Sequence, residues 1–483
     1  MKKQLVLLFC LLFSGIANLR LDAQNNVWSL PGQYKIGELL QTLPTPANPD
    51  PDSPHLYYQG QPSLYTHNAM QDAQGKLLFF VVDGVVYDKN GRFIDELTTF
   101  LISNDKKVKG TSEFMIVPDP GNCQRYYFFT LQRYADNVTS DQSPYYGILD
   151  LSLPHVINPN GPVRGAMIRF NTLDNMQDIQ NMMPGFTCYT VNGGKFGNRF
   201  LAASPLRPNN SRFVFVSSGF TIYRLVITPS GLVYDGIATE MTLASCETMN
   251  HRSEMELIVN SNGNYSIACP NRFESFGGGL NQIYIAELDF ATGNLIPGSE
   301  RNIQIAAVDN IRGIEFSPNG RFLYFTAENH GIKYFDILNS TLHTVGFNTN
   351  EFRKSFIELG KDGKLYFPVQ NRMATLSNPD QPDFVNNWNN HFISIEYNEN
   401  NAGSTLPGMP AFTLPDQIDG MDYKDHFFAN VACCRANNDY FLTSHTFPSG
   451  TTEWWASTPN EILTIRDELI VPKGATLILH GFR

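Results

Sequence analysis

Basic charge is scarce in this chain. Lys and Arg number 35 against 46 Asp and Glu in 483 residues, leaving a formal charge of −11. Nucleic acid and anionic lipid both need a concentrated basic face, so the balance argues against either as the main partner. The one basic run, Lys106-Lys107-Val108-Lys109, reads as a solvated loop or a guard on an edge strand. Cysteine is sparse as well. Seven are present, at 10, 123, 188, 246, 269, 433 and 434. That is too few for a disulfide scaffold in a chain of this length, though the six beyond the N-terminal region permit pairing. After the first residues no apolar run reaches the roughly 18 residues that a membrane-spanning helix needs.

Recognisable catalytic motifs are missing too. The chain has no G-x-S-x-G elbow for a nucleophilic serine and no H-E-x-x-H pair for zinc. Gly277-Gly278-Gly279 is followed by neither Lys-Ser nor Lys-Thr, so it reads as a loop rather than a phosphate cradle. No catalytic residue and no cofactor is assigned from the sequence.

What the chain does have is apolar and aromatic material: 42% hydrophobic residues, 35 Phe and 21 Tyr. This bias suits pleated sheet, and no helical stripe interrupts it. Six times a polar turn built on Gly or Asn leads straight into a short apolar strand. The copies are Gln74-Gly75 to Phe80, Pro120-Gly121 to Phe129, Asn209-Asn210 to Phe215, Asn262-Gly263 to Ile267, Asn319-Gly320 to Phe325 and Asp362-Gly363 to Phe367. Gly or Asn supplies a positive φ, and the strand then pairs back on its predecessor. Four of the five intervals between these turns run from 43 to 57 residues, the length of a four-stranded propeller blade. The interval from 121 to 210 is 89. It predicts a hidden unit around Phe186–Thr190 and Arg199–Ala202, and hence an all-β, seven-bladed β-propeller, within a range of six to eight.

The phrases Val117-Pro118-Asp119-Pro120-Gly121-Asn122, Gly313-Ile314-Glu315-Phe316-Ser317-Pro318-Asn319-Gly320 and Leu414-Pro415-Asp416-Gln417-Ile418-Asp419-Gly420-Met421-Asp422 carry a resemblance. They resemble those of exported WD40-like propellers of gliding and related bacteria that use type IX secretion. The likeness covers roughly residues 55 to 423. It implies a propeller fold and a surface location without implying a chemistry.

Lys2-Lys3 ahead of the apolar stretch Leu5 to Phe13 has the layout of a secretory leader, which predicts a secreted or cell-surface protein with no membrane insertion once the leader is removed. The expected division is a leader over 1–23, an extension over 24–54, the propeller over 55–423 and an incomplete β-rich segment over 424–483. In the last, Leu469 to Gly481 reads as strand, Gly turn and strand, like one rung of a parallel solenoid.

The densest polar cluster runs from Cys246 to Glu256 and contains His251, Arg252, Glu254 and Glu256. As a segment facing the channel it offers groups for a polar ligand or metal. Read structurally, Arg252 and a Glu pair across blades. Asp416, Asp419 and Asp422 recur every third residue and supply oxygens a hard cation could use, but they lack the EF-hand spacing and also suit a self-bonded turn. Cys433-Cys434 with His426 and His445 lacks the usual zinc spacing. Two functions compete on this basis. One is a non-catalytic scaffold whose loops bind a protein or glycan partner. The other is an extracellular hydrolase or lyase with acid and base groups gathered from several blades.

Overall fold

The structure is a computed structural model. The described residues lie in 28–30, 40–71, 77–131, 144–168, 182–183, 200–241, 254–273, 280–305, 311–394 and 439–480, apart from short stretches within these ranges. The chain begins with β1 (Trp28–Leu30) and β2 (Leu40–Thr42), a short parallel pair. Six four-stranded antiparallel sheets follow, each built from consecutive strands.

Blade 1 holds β3 (His67–Gln71), β4 (Leu77–Val82), β5 (Val85–Asp88) and β6 (Phe93–Glu96). The small pair β7 (Thr98–Thr99) and β8 (Lys106–Lys107) lies on the way to blade 2. Blade 2 comprises β9 (Phe114–Pro118), β10 (Arg125–Leu131), β11 (Pro144–Pro154) and β12 (Arg164–Met167). Blade 3 comprises β13 (Leu201–Ala203), β14 (Arg212–Ser218), β15 (Thr221–Thr228) and β16 (Gly231–Glu240). Blade 4 runs through β17 (Glu256–Val259), β18 (Tyr265–Phe273), β19 (Leu280–Leu288) and β20 (Arg301–Ile305). Blade 5 has β21 (Ile311–Phe316), β22 (Phe322–Ala327), β23 (Gly331–Asp336) and β24 (Thr341–Thr344), and blade 6 has β25 (Glu358–Leu359), β26 (Leu365–Val369), β27 (Arg372–Leu376) and β28 (Trp388–Ser394). The first strands of successive blades lie side by side, β3 to β9 to β13 to β17 to β21 to β25. They form the inner ring of a six-bladed β-propeller.

Each repeated phrase of the sequence is the second strand of a blade. Such a strand is covered on both faces by neighbouring blades, which is why β22 reads Phe322-Leu323-Tyr324-Phe325-Thr326-Ala327, all buried, without polar alternation. The turn ahead of it is closed by its first residue. The Gly320 N–H donates to the carbonyl of Ser317 at 2.8 Å, and the Phe322 N–H donates to the Ser317 hydroxyl at 3.0 Å. Asn260 and Asp119 hold the same place in blades 4 and 2. The expected positive φ occurs at Asn210, Gly263, Gly320 and Gly363 but not at Gly121. There the requirement is space: a Cβ would sit 2.5 Å from Cα of Pro229 in the next blade.

Among the described residues the four-stranded sheets number six, without the seventh unit expected from the 89-residue interval. The turns at 121 and 210 belong to consecutive blades, and the extra length lies in the connection 168–200 between them. Phe200 and Ala202, assigned in the sequence to that unit, instead enter and form the inner strand of blade 3. Residues 186–199 lie outside the described residues.

Apolar cores sit between blades rather than within them. Phe79, Val81 and Ile94 of blade 1 pack on Ile116, Phe128 and Leu149 of blade 2, and equivalent clusters join blades 2 to 3, 3 to 4, 4 to 5 and 5 to 6. After Ser394 the described strands are β29 (Asp439–Thr446), β30 (Gly450–Trp455), β31 (Ile462–Ile470) and β32 (Ala475–His480). β29 pairs with β31 and β30 with β32, both in parallel.

Candidate functional site

Up-down strand order gives the ring two unlike ends. At one, the turn end, lie the repeated turns and the links between third and fourth strands. These interlock around the ring. His155 Nε2 lies 2.8 Å from the Phe93 carbonyl, joining blade 2 to blade 1. The Arg207 guanidinium bonds the Ala291 carbonyl across blades 3 and 4, and Arg301 bonds Ile337 across blades 4 and 5. The Asn319 N–H donates to Asp380 Oδ1 at 3.0 Å, tying blade 5 to blade 6. The opposite, loop end receives the connections that enter each inner strand, including 97–113, 168–200, 241–255 and 345–357, together with 132–143. Loops with room to differ collect at this end, where a rigid frame can present them.

Of the cluster singled out in the sequence, Glu254 and Glu256 stand where the chain enters blade 4, at the loop end. His251 and Arg252 lie outside the described residues. Glu254 and Glu256 are described, and both are buried, 4% and 6% exposed. Glu254 Oε1 accepts the Ile314 N–H of β21 at 2.7 Å and faces the Ile357 N–H, just before β25, at 3.5 Å. One carboxylate thus reaches from the entrance of blade 4 to the inner strands of blades 5 and 6. Glu315 repeats the device: Oε2 accepts the Leu359 N–H at 3.0 Å and Oε1 accepts the Phe316 N–H at 2.6 Å. The physical cause is plain. Inner strands are sheet edges, and their inward N–H groups would otherwise be buried without acceptors. Gly313 makes the approach possible, since a Cβ there would lie 2.6 Å from the Ile357 nitrogen. The Thr326 hydroxyl completes the junction by accepting the Gly313 N–H at 2.9 Å and donating to the Ser355 carbonyl at 2.6 Å.

Asp416, Asp419, Asp422, the paired Cys433 and Cys434, and His426 lie outside the described residues. Among the described residues no group of three or more His, Cys, Asp or Glu is placed to hold a metal. Cys269 is a buried thiol 3.7 Å from the Pro270 carbonyl.

Nothing in the sequence singles out Asp119, a carboxylate well displaced from its ordinary titration. It is 2% exposed at the turn end of blade 2. Burial raises its pKa from 3.8 to about 6, against the opposing pull of the Gly121 N–H and the Arg125 charge. The folded chain therefore holds this proton more tightly than the unfolded chain. Stability supplied by the protonated carboxyl is present below pH 4 and is lost as pH rises through 6. Asp119→Asn, which copies the residue at the equivalent place in blade 4, should remove this slope and add roughly 3 kcal/mol at pH 7. Urea unfolding at pH 4, 5, 6 and 7 checks it; parallel profiles for the two proteins would refute the assignment.

No protein family and no curated protein matches this chain. Several solved structures resemble it weakly. The Dos1 propeller is 10% identical over 64% of this chain and 66% of its own, with a TM-score of 0.30. Hydrazine synthase of Kuenenia stuttgartiensis is 11% identical over 67% and 80%, at 0.34. The periplasmic gluconolactonase of Pseudomonas aeruginosa is 12% identical over 65% and 78%, at 0.33. Overlaps this loose lend weight to no activity here.

Proposed function

We propose that this protein is an exported, non-catalytic β-propeller that binds a protein or glycan partner at the cell surface or outside the cell through its loop end. The unlike ends of the ring carry this reading: one is stitched blade to blade, while the other receives the long connections. The leader-like residues 1–23 and the phrases shared with propellers of type IX-secreting bacteria supply the location. Within the loop end the contact is assigned to His251 and Arg252. Glu254, the described residue that follows them in the chain, is fixed at the meeting of blades 4, 5 and 6, and this supports the choice. In this role Glu254 and Glu256 anchor the segment rather than touch the partner. The parallel strands β29 to β32 extend the same reading, because coil-on-coil pairing of this kind is how a solenoid-like module begins.

Glycan-array and pull-down screening of the mature chain tests the proposal, followed by titration of whatever partner is found. His251→Ala and Arg252→Ala should each weaken binding about tenfold, or roughly 1.4 kcal/mol. Glu300→Ala, at the turn end, should leave it unchanged. Equal affinity of all three variants would overturn the assignment of the loop end. Turnover of a polysaccharide or peptide by the purified chain would establish the hydrolase or lyase instead.

A further inference from the structure

Five of the six seams between blades are filled by apolar side chains drawn from both blades. The seam between blade 6 and blade 1 is different. Among the described residues, the cluster on that face of blade 1, made of Ala69, Leu77, Phe80, Val82 and Tyr87, is completed by Leu43 and Tyr58 from the segment ahead of the blade. On the other side Tyr366 of β26 is fully buried, and it meets the edge of the Trp28 ring with centroids 4.7 Å apart and planes at 88°. Trp28 is itself fully buried, and β1 lies alongside β3 of the inner ring. Among the described residues neither blade lends the other a strand: blade 6 has its four strands within 358–394 and blade 1 within 67–96.

We propose that the described residues 28–30 and 40–46 act as a clasp that closes the ring, with Trp28 as the wedge between blade 6 and blade 1. A ring whose ends share no strand holds at that seam only by side-chain packing, and opening it would bare two apolar blade faces at once. The N-terminal segment presents one bulky ring to the last blade and Leu43 to the first, joining them without a common sheet. Pro44 follows the same course, its carbonyl so near Gly91 that a Cβ there would lie 2.4 Å away. The segment therefore runs from the inner strand of blade 1 out to the far edge of that blade. Closure joins the earliest described strand to the last blade, so it cannot occur until β26, which carries Tyr366, has been made and folded.

Amide hydrogen exchange on the full chain tests this seam by seam. Trp28→Ala should raise exchange at least tenfold in β3, β4, β26 and β27 while β14 and β18, in blades 3 and 4, keep their original protection. Trp28→Phe retains an aromatic edge for Tyr366 and should show the same pattern with a smaller rise, which keeps the test decisive if the alanine variant does not fold. Unchanged exchange at both seam blades, or an equal rise across all six blades, would overturn the clasp.

Discussion

Glu254→Ala is expected to lower the unfolding free energy by roughly 3 kcal/mol. The change strips a buried carboxylate from the Ile314 N–H and leaves that donor without this acceptor. Hydrogen bonds to charged groups contribute about 1.5–3 kcal/mol, and an orphaned buried donor adds its own desolvation cost. Glu254→Gln retains an acceptor oxygen and should recover roughly half of the loss. Glu315→Ala, which uncovers the Leu359 N–H, should fall in the same range as the alanine change at 254. Urea unfolding measures all three. Wild-type stability for Glu254→Ala would show that the carboxylate is not a structural anchor, and a role in contacting ligand would then have to explain its position.

Gly84→Ala should be at least as damaging, by roughly 3 kcal/mol or more, for two reasons acting together. Gly84 has φ of +78°, a conformation that costs an L side chain about 1 kcal/mol. A Cβ at this position would also lie 1.9 Å from the Val108 carbonyl oxygen, which no rotamer can relieve because both atoms belong to the backbone. The turn would have to part from the connection 97–113, with loss of the hydrogen bond from the Leu97 N–H to the Gly84 carbonyl. Thermal unfolding gives the magnitude, and amide exchange at Leu97 and Val108 gives the place. A melting midpoint unchanged from wild type would mean that the segment bends away at little cost.

The repeat was visible in the sequence because second strands of blades are buried on both sides. Uninterrupted phrases such as Phe322 to Ala327 are the direct record of that burial, and the turns before them record the need to reverse the chain tightly. Blade number was harder to read. The spacing between marker turns adds together strand length and connection length, and the 33 residues of 168–200 imitated most of a blade. Glu254 stood out as part of a dense polar cluster, but its task did not. Its acceptor role depends on Ile314, 60 positions away, and on the ring bringing two edge strands within reach. The raised pKa of Asp119 was hidden for a related reason. The same place holds Ser317 and Asn260 in other blades, so only burial distinguishes a carboxylate there from an ordinary turn residue. Trp28 gave no signal at all, because its partner Tyr366 lies at the opposite end of the ring-forming chain.

The turn rim is laced from blade to blade, whereas the other rim is pinned at particular points, such as Glu254 and Ser355, and its connections can vary between them. A change in a marker turn disturbs the neighbouring blade as well as its own, as the closeness of Gly121 to Pro229 and of Gly320 to Asn260 requires. Connections at the opposite rim carry no such obligation toward those turns. Relatives of this chain should therefore keep nearly constant turn lengths while their connections expand, contract and acquire new recognition surfaces, so that one frame serves many partners.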